Sequence, residues 1–153
     1  MKRFLLLIAL AAATGCAEST APPSPLYASY SLSSVDGKLL PVPITDDGAM
    51  LVANTLAFDD HGRPRAGTTV DGLVRYILDV RRPDQSLEHS EIALNYQVRG
   101  DELRIDLCPP LALCIAETIL VGTITGRTDP LILRHYLGGR EQSEYRYFPV
   151  LPE

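Results

Sequence analysis

Three cysteines, Cys16, Cys108 and Cys114, carry the most pointed chemistry in this chain. Cys108 and Cys114 are separated by Pro109-Pro110-Leu111-Ala112-Leu113. Five residues that begin with two stiff prolines can double the chain back and bring the Cα atoms within about 6 Å. In an oxidising compartment such a pair reads as a structural disulfide, worth roughly 2 kcal/mol by chain entropy for so short a loop. A redox-active pair usually has two residues between its cysteines and a helix start to lower the thiol pKa, and this spacing departs from that pattern.

The nearest thing to a metal set is Asp59-Asp60-His61, with Asp46 and Asp47 one expected strand away. Consecutive strand residues point to opposite faces, so such a trio converges on an ion only from a loop. Asp-Asp-His-Gly is also ordinary turn chemistry, which is the reading preferred. His89 and His135 have no Cys or His near them in sequence, and zinc spacings are absent. There is no Gly-x-Ser-x-Gly elbow, no His-Glu-x-x-His and no phosphate loop leading into a helix. Glu88 with Glu91, or Asp101 with Glu102, could in principle act as acid and base, but in an acidic chain such pairs arise by chance. No catalytic residue, metal or cofactor is expected, and the chain is not expected to be an enzyme.

The first residues divide into a charged start at Lys2 and Arg3, an apolar run over 4–13, and then Thr14, Gly15 and Cys16. This order is that of a secretory leader. The run is too short to span a bilayer, which takes roughly twenty apolar residues in a helix. Ala13-Thr14-Gly15 immediately before a cysteine resembles the lipobox of bacterial lipoproteins, which more often have a branched aliphatic residue where this chain has Ala13. The resemblance covers only the leader. It implies cleavage before Cys16, a diacylglycerol thioether on that residue, and an amide-linked acyl chain such as palmitate. Two or more chains hold a protein stably on a membrane. Ala17, in place of the Asp that often marks inner-membrane retention, points to the outer membrane, with the domain in the cell envelope or periplasm.

Residues 1–15 are thus read as a signal peptide and 16–26 as the lipidated cysteine with a flexible tether. The proline-rich tether cannot bury apolar area. Residues 27–153 are read as one domain. Loss of Lys2 and Arg3 takes the net charge from −5 to −7. That acidity argues against a nucleic-acid partner, which needs clustered Lys and Arg.

The elements expected within the domain are strands. Ile92, Leu94, Tyr96 and Val98 alternate with polar residues, and beyond Arg99-Gly100-Asp101 so do Leu103, Ile105 and Leu107. This is the signature of a β-hairpin. Further strands are expected over 27–35 with 38–42 around Asp36-Gly37, and over 49–58, 68–80, 116–125, 131–136 and 144–150. A rival helix over 111–121 ends in Thr118-Ile119-Leu120-Val121, a β-branched tail that favours strand.

About eight short antiparallel strands give an all-β meander. Its apolar face is best covered by curling into a closed or nearly closed small barrel, with a β-sandwich as the alternative. In architecture alone this looks like the lipocalin-like group of up-and-down barrels, although the Gly-x-Trp motif and any tryptophan are missing. That resemblance implies a cavity for a small apolar ligand, yet an eight-stranded barrel can also be filled by its own side chains. Candidate lining residues are Tyr76, Tyr96, Tyr145 and Tyr147. Tyr145 and Tyr147 share a strand face that could equally close the core. The other function class is an interaction or enzyme-inhibitor lipoprotein acting on an envelope protein through the disulfide-pinned segment 109–113. A rigidified apolar loop loses little entropy on docking.

Overall fold

The computed structural model describes residues 26, 28–58, 69–110, 112–126 and 128–151. The leader, Cys16 and the Asp59-Asp60-His61 trio lie outside the described residues. The strands are β1 (Ser29–Val35), β2 (Lys38–Leu39), β3 (Val42–Pro43), β4 (Met50–Phe58) and β5 (Thr69–Arg81). They are followed by β6 (Leu87–Arg99), β7 (Glu102–Asp106), β8 (Thr118–Thr123), β9 (Leu131–Leu137) and β10 (Arg140–Pro149).

Every neighbouring pair is antiparallel, and β1 pairs with β10 on one side and β4 on the other. Ser29, Tyr30 and Ser31 face Ala57, Leu56 and Thr55 across the closing seam. Eight long strands therefore form a closed barrel, and the two-residue β2 and β3 extend the β1 and β4 edges. Closure leaves these strands without a free edge. All the ladder pairs described lie within 29–149.

Alternation in each strand decides what lies inside. On β6, Leu94, Tyr96 and Val98 are buried, and on β7 so are Leu103 and Ile105, as the hairpin periodicity requires. The turn between them takes the positive φ it needs at Gly100. No helix is found among the described residues, and 118–121 of the rival helical segment lie in β8. Leu26, placed with the tether on composition, is 5% exposed and packs into the core. Proline-rich composition sets the character of the preceding residues, but one leucine beside a barrel end gains more by burial.

The two ends of the barrel differ. The end where β1 begins is sealed by Tyr30, Phe58, Tyr96, Val98, Leu103 and Leu131, each nearly inaccessible. Phe58 lies edge-on to Tyr30 and Tyr96, with ring centroids 6.0 and 5.0 Å apart. Aromatic pairs prefer this geometry because the positive ring edge meets the negative face. Gly72 on β5 is the enabling residue, since a Cβ there would come within 2.7 Å of the Tyr96 ring. The opposite end carries the β1–β2, β5–β6 and β9–β10 turns and the β7–β8 loop with the disulfide.

Candidate functional site

At that opposite end the inward-facing side chains are only half-buried. Val35 on β1, Leu78 and Val80 on β5, Leu107 beyond β7, Thr118 on β8 and His135 on β9 all retain solvent contact. Ile92 on β6 reaches 36% exposure. The barrel is therefore sealed at one end by fully buried side chains and less completely covered at the other, where Val35, Leu78, Val80, Leu107 and Tyr145 pack against the core with part of their surface exposed.

A hydrogen-bonded floor separates the two. The Tyr147 hydroxyl donates to Asn54 Oδ1 at 2.6 Å, and Asn54 Nδ2 donates to the Ile77 carbonyl at 3.1 Å. The Tyr76 hydroxyl lies close enough to Tyr147 and Asn54 for both to influence its ionisation. Tyr147 is inaccessible and Asn54 is 1% exposed. A buried amide is tolerated because its polar atoms are engaged.

Above the floor, the His135 ring lies against Tyr145 with centroids 6.2 Å apart and planes at 69°. Strand pairing places His135 between Leu120 and Ser143. Its Nε2 is shielded from solvent and has no hydrogen-bond partner. Burial lowers the His135 pKa. Burial raises the phenols of Tyr76, Tyr145 and Tyr147, with repulsion from neighbouring acidic groups adding to it. The titratable groups on this floor are thus held in their neutral forms at pH 7.

A cleft of about 300 Å³ lies at the rim between β1, β3, β4 and β10, bounded by Val35, Val42, Pro43, Ile44, Leu51, Ser143 and Tyr145 and edged by Asp36 and Lys38. Charge is otherwise kept on the outside of the wall. Arg75 pairs with Glu91 at 3.5 Å and His89 with Asp79 at 2.7 Å, while Arg104 pairs with Glu117. The two candidate carboxylate dyads are not dyads. Glu88 and Glu91 each pair with an arginine, and Asp101 and Glu102 are exposed beside the β6–β7 turn.

Cys108 and Cys114 are bonded, with Cα atoms 6.0 Å apart, close to the separation expected from the two prolines between them. The loop is further set by the Cys108 N–H donating to Asp106 Oδ1 at 3.0 Å and by Ala112 N–H donating to the Pro109 carbonyl at 3.0 Å. Leu113 and Ile115 are fully exposed. Asp47 accepts the Thr45 hydroxyl and, at 3.3 Å, the Ala49 N–H. That is the turn role expected of it. Among the described residues no cluster of three or more His, Cys, Asp or Glu could hold a metal.

Of the four tyrosines singled out in the sequence, Tyr76, Tyr145 and Tyr147 come together on the floor and wall of the open half. Tyr96 faces the same lumen from the sealed end, packed on Phe58. Asn54 and His135 belong to the site and were not singled out. The signal for His135 was available: Leu131, Leu133 and His135 share one strand face, so a core-facing stripe runs straight into an imidazole. Asn54 lies within an alternating run whose bulge between Leu51 and Ala53 obscures which face is inward. No protein-family model, curated protein or solved structure matches this chain.

Proposed function

We infer that this chain is a lipid-anchored envelope binding protein that takes a small apolar molecule into the open half of its barrel. The observation that supports it is the contrast between the two halves. The sealed end buries its inward side chains almost completely, whereas at the other end Leu78, Val80, Ile92 and Tyr145 keep part of their surface exposed, and Tyr145 lines a rim cleft of about 300 Å³. Apolar surface left accessible inside a concave wall is what a ligand would cover. The anchor in this reading is Cys16 in its lipobox-like context, and the envelope is its location. Because β1 starts at the sealed end, the tether would leave the mouth on the far side from the anchor. No step of catalysis belongs to this function.

The test is fluorescence titration of the chain from Ala17 onward with N-phenyl-1-naphthylamine, an uncharged dye that brightens in apolar surroundings. Saturable binding is expected, lost in Leu78→Arg with the far-UV circular dichroism unchanged. Absence of saturable binding would overturn the reading.

The second reading, a protein-docking or inhibitor loop, has its own observation in Leu113 and Ile115, which stand fully exposed on a loop closed by the disulfide. Here Leu113→Ser with Ile115→Ser would abolish capture of an envelope partner while leaving dye binding intact.

A further inference from the structure

Closure removes the lateral edges of the sheet, but β6 outruns its neighbour on one side. It pairs with β5 along all 13 of its residues and with β7 only from Asn95 to Arg99. Beyond Asp106, which faces Asn95, β7 gives way to the loop with the disulfide. Among the described residues no backbone hydrogen bond joins that loop to 87–94. Leu87, Glu88, His89, Glu91, Ile92 and Ala93 are exposed and Ser90 is half-buried.

Which groups this edge offers follows from one bond. Arg82 N–H donates to the Ser86 carbonyl at 2.9 Å, and successive residues of a strand turn their backbone groups to opposite sides. The even-numbered residues of β6 therefore bond to β5, while Leu87, His89, Glu91 and Ala93 direct N–H and C=O away from it. Such an edge is a template for another strand unless proline, a bulge or charge blunts it. Residues 87–99 contain no proline, and their register with β5 runs without a shift. The charges are answered within the chain: Glu88 by Arg82 at 2.7 Å, His89 by Asp79 at 2.7 Å and Glu91 by Arg75 at 3.5 Å.

We propose that a second copy of this chain occupies the edge, β6 against β6 and antiparallel about a two-fold axis at Ser90, so that one sheet runs through both barrels. In this register His89 lies beside Glu91 of the second copy and Leu87 beside Ala93, and symmetry repeats both contacts. Each hydrogen-bonded pair exchanges both its backbone bonds. Sliding the copies by two residues in either direction would set His89 against His89 or Glu91 against Glu91 and shorten the ladder. This fit of the edge to itself is what favours a second copy over an extended peptide of another protein. The assignment stands without the small-ligand reading and goes beyond it.

The experiment uses the chain starting at Ala17, which has no free thiol because Cys108 and Cys114 are bonded to each other. Sedimentation velocity from about 1 µM to about 1 mM, the range suited to a small interface, should show the wild type passing from monomer to dimer. Glu91→Pro removes a donor that faces the edge and no bond to β5. It should keep the far-UV circular dichroism and weaken the dimer about tenfold or more. The two Ser90 residues would form a non-hydrogen-bonded pair with Cα atoms about 4.5 Å apart, within reach of a disulfide. In a glutathione redox buffer Ser90→Cys should therefore give a covalent dimer about tenfold faster than Ala93→Cys, whose own counterpart lies beyond that reach. A wild type that stays monomeric, whether or not its edge captures a foreign peptide, would overturn the assignment. So would a dimer indifferent to Glu91→Pro, or equal cross-linking through both cysteines.

Discussion

At the scale of single residues, the Tyr147 hydroxyl and the Asn54 amide depend on each other. Both are essentially inaccessible, and they share a 2.6 Å hydrogen bond. Tyr147→Phe keeps the ring and removes the donor, leaving a buried acceptor unmet at a cost of about 1–3 kcal/mol. Urea unfolding followed by circular dichroism should show a lower midpoint at unchanged slope. An unaltered midpoint would mean that water reaches Asn54. His135 makes a prediction about pH. Burial holds its folded-state pKa below the ordinary 6.5, so between the two values the unfolded chain binds the proton more readily. Stability is then complete above about pH 6.5 and falls as pH drops toward the folded-state value. Between pH 7 and 5 the wild type should lose more unfolding free energy than His135→Gln. Parallel curves for the two proteins would show that the ring is not desolvated in the folded state.

At the scale of elements, the loop between β7 and β8 is held by a crosslink closing a short ring of chain. The double change Cys108→Ser with Cys114→Ser should cost about 2 kcal/mol, read as a lower denaturant midpoint with the barrel spectrum preserved. The preservation is expected because Leu107 N–H still donates to the Thr118 carbonyl at 2.9 Å and β7 pairs with β8 over five residue pairs, Glu102 to Asp106. Dye binding in the lumen should survive the change, since Leu113 and Ile115 point into solvent rather than into the barrel. If dye binding were lost, the loop would have to be counted as part of the mouth. The β6–β7 hairpin shows how directly an element can be written in sequence. Its alternation is uninterrupted and its turn has Gly100 where φ is positive. On β4, β10 and β1 the register shifts, and a one-residue bulge swaps the faces of everything beyond it. That is why Asn54 was not legible as an inward residue.

At the scale of the whole molecule, the proposed lipid anchor and the barrel are separable. The ladder pairs of the described residues close the barrel within 29–149, so Cys16→Ser should leave the fold untouched and move the protein from the detergent-rich to the aqueous phase on detergent phase separation. Intact mass of the wild type is expected to fit cleavage before Cys16 plus acyl chains. Recovery of unmodified wild type in the aqueous phase would sink the anchor. The all-β class, the strand count, the main hairpin and the cysteine pair were determined by the sequence itself. They rest on period-two alternation, turn residues and spacing, which act between residues near one another in the chain. What tertiary structure alone decided is everything that depends on strands distant in sequence. The seam between β1 and β4 made the sheet a barrel rather than a sandwich, because closure depends on accumulated twist and shear, which no local pattern encodes. Closure then set Tyr147 against Asn54 across 93 residues and sealed one end while leaving the other open. It also buried the His135 Nε2, which has no hydrogen-bond partner, inside the barrel wall.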